Sequence, residues 1–246
     1  MMDFTKIDEL AVKLKSLRPL NPTELKRLRE EFMIECTYNS NAIEGNTLTL
    51  RETAMILQEG ITIAEKPVRE HLEAIGHKDA FEYMVALADA ASPLTERVIK
   101  ELHSLVLMND VQNRGVYRSV PVTILGALHT PPQPYLVSVQ MEALLRDYEQ
   151  WRQARHILEA AAELHLCFEG VHPFIDGNGR TGRLILNLEL IKAGLLPVDI
   201  KFADRRKYYD CFDDYHQNGH NPRMLVELLA GYEAAELTRY ISFLEA

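Results

Sequence analysis

HPFIDGNGRTGR, residues 172–183, places three glycines, an asparagine, two arginines and a carboxylate within eleven residues of a histidine, just before a strongly apolar run. A core segment is not built this way, because glycine costs backbone entropy and arginines resist burial without partners. The mixture suits an anion. Gly177 and Gly179 can take backbone angles that turn successive N–H groups inward as a nest. The helix that follows aims the positive end of its dipole at the same spot. Arg180 and Arg183 are three apart and project to one side of its first turn, and guanidinium forks match phosphate oxygens in pairs. Asp176 is a hard oxygen donor able to hold Mg²⁺ against phosphates. His172, with an ordinary pKa of about 6.5, suits a general base. A glycine-rich helix–helix turn with surface ion pairs would account for GNG alone, but poorly for all twelve residues. The G-x-x-x-x-G-K-(S/T) spacing of a P-loop and its lysine are missing. The parts are those of a phosphate-transfer site.

Around this loop almost everything reads as helix. Phe4, Ile7, Leu10, Leu14 and Leu17 follow helical spacing. Asn21 precedes Pro22 as an N-cap, and Thr49 with Glu52 forms a capping box whose helix ends at Gly60. Pro67 opens a long helix with Val68, Leu72, Ile75 and Phe81 on one side, and another helix follows Thr95. Ser138 caps a helix to about Trp151, a further one runs from about Ile157 to Glu169, and Leu184, Ile185, Leu188 and Ile191 form a stripe ending at Gly194. The exception lies between Asn113 and Val137, where four prolines, two glycines and the alternating run GVYRSVPVTI predict a short β-hairpin or flap at about 116–137. The fold class is all-α with one extended excursion.

The 246 residues suffice for one large domain, and the net charge of −9 excludes a general nucleic-acid footprint. Any anionic ligand must be held by a local cluster such as the arginine pair. Cys36, Cys167 and Cys211 are far apart, with no C-x-x-C, so reduced thiols and a cytoplasmic location are expected. No stretch has the apolar h-region of a signal peptide or approaches the roughly 20 residues of a membrane span, so no membrane partner is expected.

The loop resembles the H-x-F-x-(D/E)-G-N-G-R-x-x-R signature of Fic (Fic/Doc) proteins at every fixed position, and the resemblance extends over roughly residues 37–220. It implies a Fic-type helical domain that transfers AMP from ATP to a Ser, Thr or Tyr hydroxyl of a target protein, or of the protein itself, releasing pyrophosphate. It implies His172 as the general base, Phe174 as the loop's core anchor and Asp176 as the ligand of Mg²⁺, with Mn²⁺ as an alternative. Gly177, Asn178 and Gly179 would form the anion hole, and Arg180 and Arg183 would contact the β- and γ-phosphates. Tyr209, beside Tyr208, and Asn218 are candidates for the adenine side. The domain plan expected is N-terminal helices over 1–36, a core over 37–220 and a C-terminal helix over 221–246.

SNAIEGN, residues 40–46, resembles the family's (S/T)-x-x-x-E-(G/N) inhibitory motif through Ser40, Glu44 and Gly45. Four residues apart, Ser40 and Glu44 share one helix face. The resemblance directs Glu44 to Arg183, where its carboxylate would take the place of a γ-phosphate. An ordinary helix end with a glycine C-cap is the alternative. Other functional readings are removal of AMP from a modified protein, transfer of another phosphate-containing group, and a non-catalytic nucleotide-binding module, which would have no use for His172. Apolar surface on residues 29–39 and 64–80 permits a homodimer.

Overall fold

The computed structural model describes residues 2–17, 22–124 and 126–245. Among the described residues ten α-helices run in chain order: α1 (Thr5–Ser16), α2 (Pro22–Ile43), α3 (Leu50–Glu59), α4 (Val68–Asp89), α5 (Glu96–Val106), α6 (Pro134–Ala154), α7 (Ile157–Val171), α8 (Asn178–Lys192), α9 (Arg205–Gln217) and α10 (Arg223–Glu245). A short 3-10 turn, Phe202–Asp204, leads into α9. The capping box forms as expected: Thr49 N–H donates to Glu52 Oε2 at 2.7 Å, Glu52 N–H donates to Thr49 Oγ1 at 3.2 Å, and Gly60 closes α3 at φ +69°. Thr95 caps α5 by accepting from the Val98 N–H. Asn21, the expected cap of α2, lies outside the described residues.

Helices α7 and α8 form the centre. One side of α8 (Leu184, Ile185, Leu188) packs into a cluster with Phe32, Phe81, Met84, Leu102, Met141 and Phe168. The other side (Leu186, Leu190) joins a second cluster with Leu158, Leu166, Tyr208, Leu225 and Leu229. A helix buried on both sides has no polar face, so the single stripe read from the sequence is half of its apolar surface. Two of its interior polar side chains are paired: Asn187 bridges Val198 N–H and C=O, and Glu189 accepts from Tyr148 and Lys192. The α4 stripe also differs from expectation. Val68 is exposed, and the face turned inward is Ala74, His77, Ala80, Phe81 and Met84. Small residues let α4 approach closely, and a Cβ at Gly76 would collide with the Leu105 carbonyl of α5.

The expected hairpin is not formed: no residue of 116–124 or 126–133 is in a strand. Pro121, Pro131 and Pro132 lack the N–H that a ladder needs. The segment is held from its base instead, where Arg118 Nη1 and Nη2 donate to the carbonyls of Val120 and Pro132. Nor does α6 begin at Ser138. It begins at Pro134, whose fixed φ suits the first helical position. The division expected at residue 36 falls inside α2, which runs unbroken to Ile43 and so carries the N-terminal part of the chain directly into the 40–46 motif. No helix among the described residues is long and apolar enough to cross a membrane.

Candidate active site

The twelve-residue loop joins the two central helices. α7 stops because His172 takes a left-handed conformation, φ +48°, and α8 starts behind Gly177 at φ +78°. For histidine this geometry costs about 1–2 kcal/mol, and the surroundings enforce it. The buried Arg118 donates from Nε to the His172 carbonyl at 2.8 Å and from Nη2 to the Val171 carbonyl at 3.3 Å, while its backbone N–H donates to the Pro173 carbonyl at 2.9 Å. One guanidinium therefore ties the flap base to the start of the loop. Phe174 is fully buried and stacks on His103 at 3.6 Å between ring centroids. Gly115 N–H donates to His103 Nδ1, so the ring proton lies on Nε2, which donates to the Asp176 carbonyl at 2.9 Å. Asn178 completes the brace, accepting from the Phe174 N–H and donating to the Phe174 carbonyl, both at 2.9 Å.

Above the braced loop opens a cavity of about 450 Å³, a size suited to a small ligand. His172, Asp176, Gly177, Asn178, Gly179, Arg183, Tyr209 and Glu44 all line it. Arg183 is almost fully buried and firmly oriented. Its Nε donates to Ser40 Oγ at 3.0 Å, Nη2 to the Ser40 carbonyl at 2.8 Å, and Nη1 to Tyr208 Oη at 3.3 Å. Nη2 also meets Glu44 Oε1 at 2.8 Å. Glu44 lies in the turn closing α2, and Gly45 follows at φ +94°. The helix-end reading and the reading of Glu44 as Arg183's partner thus hold together. The Glu44 carboxylate lies so close over Gly179 that a Cβ there would collide with it. An anion is therefore already seated against the first turn of α8, where the helix dipole favours negative charge.

Residues 93–190 match the Fic/DOC family. A Fic domain containing signaling protein from Bacteroides thetaiotaomicron superposes with a TM-score of 0.89 at 31% identity, covering 98% of this chain and 97% of that one. This chain belongs to the Fic/DOC family. A Fic-1 chain from C. elegans gives a TM-score of 0.85 at 31% identity, covering 98% of this chain and 72% of that one. The protein adenylyltransferase Fic of Nematostella vectensis is 37% identical over 212 residues, which is 83% of this chain and 48% of that protein. The chain spans about half the length of the curated relatives it matches.

Four residues expected in the Fic site stand apart from the cavity wall, Gly45 beside Glu44 among them. Arg180 is buried behind the loop, with Nη2 3.3 Å from Asp176 Oδ1 and Nη1 3.8 Å from Glu73 Oε1. It reaches the cavity through Asp176. Asn218 is exposed at the C-terminus of α9, where its amide donates to Asp214. Ser40 acts one step back, as an anchor of Arg183. Three contributors carried no expectation, and a fourth, Tyr208, was weighed only as Tyr209's neighbour on the adenine side. Tyr208 pairs with Arg183 and with His165 Nε2 at 2.6 Å. Arg118 and His103 brace the loop, and Glu169, on the last turn of α7, lines the cavity beside His172. Glu169 had a sequence signal, three residues before His172.

The donor set fits a Mg²⁺ ion bound through substrate. Asp176 Oδ1 accepts from the Gly177 N–H at 2.6 Å, and the side chain is 62% exposed. Among the described residues no group of three or more His, Cys, Asp or Glu could hold a metal. One carboxylate completed by phosphate oxygens and waters is the coordination Mg²⁺ prefers.

Burial holds the site's histidines neutral. His172 and His103 are pushed down to about 4, and His77 and His165 to about 3, in each case mainly by burial. Unfolded, each would titrate near 6.5. Between these values the unfolded chain binds more protons, so this stability is present above pH 6.5 and is lost as pH falls toward 4. Glu169, raised to about 8, and Glu233, raised to about 7, both mainly by burial, act in the opposite sense, but the histidines outnumber them, His216 adding a fifth at about 4. At pH 5 each histidine costs about 2 kcal/mol, or roughly 4–8 °C in melting temperature. Thermal melts should therefore fall steeply between pH 6.5 and 5, before ordinary carboxylates titrate. A flat profile over that interval would contradict the buried, neutral assignment.

Proposed function

We propose that this protein is an ATP-dependent protein adenylyltransferase, moving AMP onto a hydroxyl side chain of a target protein or of itself, and held off by its own Glu44. The observation carrying this reading is the 2.8 Å Arg183–Glu44 pair seated over Gly179 at the N-terminus of α8. A carboxylate held there by a charged fork and a helix end stands where a terminal phosphate would bind.

The chemistry follows from the lining. With ATP bound, the N–H groups at the start of α8 and Arg183 would hold the phosphate chain and orient pyrophosphate as leaving group. Arg180 supports the negative charge from behind Asp176. His172, neutral at pH 7, accepts the proton of the target hydroxyl as its oxygen bonds to the α-phosphorus. Asp176 would hold Mg²⁺, which neutralises phosphate charge when bound. Tyr209, half-exposed on the wall and donating to the Ile43 carbonyl at 3.0 Å, offers a ring for the adenine side. The exposed side chain of Ile175 on the wall, with that of Leu128 between the lining residues Ala127 and His129, suits an extended target segment.

Asp176→Ala should remove both activity and its dependence on Mg²⁺, because Asp176 is the only carboxylate within residues 172–183. A Mg²⁺ titration on both proteins checks this, and metal-stimulated turnover retained by the variant would contradict the assignment. The reading as a whole is tested by incubating the parent, Glu44→Gly and Glu44→Gly/His172→Ala proteins with α-labelled ATP and a cell lysate. Labelled protein bands should appear strongly only with Glu44→Gly. A lysate left unlabelled by all three folded proteins, with no self-labelling, would count against adenylyl transfer.

A further inference from the structure

Glu169 is a charged-type side chain placed where no ordinary pairing accounts for it. Its side chain is 12% exposed, Oε2 lies 3.8 Å from His172 Nδ1, and Oε1 is buried without a hydrogen-bond partner. His172 Nδ1 is likewise buried and unpartnered. The two groups face each other at the end of α7, and both line the cavity. The neighbouring helix makes room for the carboxyl, since a Cβ at Gly182 would lie 2.7 Å from Glu169 Oε1. A buried unpartnered carboxyl and a buried unpartnered ring nitrogen each cost stability. Their juxtaposition beside the base points to a role in the site.

We propose that Glu169 is a positioning residue for His172: its carboxylate takes the Nδ1–H, which fixes the ring tautomer and leaves Nε2 bare to accept the target's proton. This deepens the adenylyltransferase reading and rests on it. In the step itself, the target hydroxyl gives its proton to Nε2 while its oxygen bonds to the α-phosphorus. The bond from the α-phosphorus to the bridging oxygen breaks, and its electron pair leaves on pyrophosphate. The imidazolium so formed carries protons on both nitrogens, and its Nδ1–H is directed at Glu169. A carboxylate there stabilises a cation that the buried pocket otherwise disfavours.

The same geometry links the base to Glu44. Groups facing Glu169 are His165 on its own helix, His172 just past its end, Glu44 at the end of α2, Arg183 on α8, and Tyr208 and Tyr209 on α9. Burial raises the Glu169 carboxyl to about 8, Glu44 raises it further, and Arg183 opposes them. A carboxyl raised in this way still accepts Nδ1–H through an oxygen, and accepts it more strongly once ionised. Removing Glu44 takes away one of the influences that raise the Glu169 carboxyl, while burial, the largest, remains.

The test uses the full chain carrying Glu44→Gly, with and without Glu169→Gln or Glu169→Asp. Nitrogen NMR of histidine-labelled protein reads the His172 tautomer, assigned by its loss in Glu44→Gly/His172→Ala. The Nδ1–H form should dominate in Glu44→Gly and in Glu169→Asp, and should give way to Nε2–H in Glu169→Gln. Rates at saturating ATP should fall about 10–100-fold in Glu169→Gln, with ATP affinity unchanged and the rising limb of the pH–rate profile lost. Glu169→Asp should recover much of the rate. A His172 tautomer insensitive to Glu169→Gln overturns the proposal, and so does an unchanged rate and pH profile in an active Glu44→Gly background. The tautomer measurement does not depend on AMP transfer, so a failure of the adenylyltransferase reading is seen separately, as inactivity of Glu44→Gly.

Discussion

His172→Ala, made in the Glu44→Gly background, should lower AMP incorporation about 10²–10⁴-fold, the usual cost of deleting a general base, while ATP still binds. His172 lines the cavity, is neutral at pH 7, and has Nδ1 buried, which leaves Nε2 as the nitrogen available to a substrate hydroxyl. No side chain can replace it from the same side, because Glu169 faces Nδ1. Nucleotide binding should survive because Gly177, Gly179 and Arg183 hold phosphate without the imidazole. The Arg118 clamp grips the backbone carbonyl of residue 172, which alanine keeps. Single-turnover labelling with calorimetric ATP titration separates the two effects. Labelling as fast as in the background protein would remove His172 from the reaction.

Glu44→Gly should raise labelling of the protein itself and of targets by about tenfold to a hundredfold. A charge-assisted arginine–carboxylate contact in a partly buried site is worth roughly 1.5–3 kcal/mol, and each 1.4 kcal/mol is about tenfold in the competent population. The variant should stay folded. Arg183 keeps three contacts, to Ser40 Oγ, the Ser40 carbonyl and Tyr208, so it stays in place with a donor freed for phosphate. Glu44 sits at the C-terminus of α2, where the helix dipole disfavours a negative charge, so the helix loses little. Adding Arg183→Ala should abolish the gain, because the freed site then has no fork. Initial rates of labelled-AMP incorporation by the parent, single and double variants decide the matter. Equal or slower labelling by a folded Glu44→Gly protein would refute inhibition by this helix end.

The site was legible in the sequence where its chemistry is contiguous. Residues 172–179 carry the proposed base, the proposed metal ligand and the glycine nest in chain order, so their meeting needs no knowledge of packing. Glu44 lies 139 residues from Arg183 and was reached only through its own motif. Contacts made to backbone leave no mark in composition, and Arg118 and His103 act on carbonyls and N–H groups, so neither stood out. Arg180 shows the limit of helical spacing. Three residues from Arg183, it still turns behind the loop because Asp176 and Glu73 hold its guanidinium there. The flap misled for a different reason: alternation in GVYRSVPVTI imitates a strand, but the flanking prolines remove ladder donors and Arg118 supplies the missing support. Burial of α8 between two clusters likewise follows from its neighbours and could not be read from its own period.

The most direct measurement uses Glu44→Gly protein given ATP labelled at the α-phosphate in one reaction and at the γ-phosphate in a parallel one. Adenylyl transfer places the α-label on protein and leaves the γ-label in pyrophosphate. Covalent γ-label on the protein, or α-label no greater than in the His172→Ala control, would contradict transfer of AMP at this site.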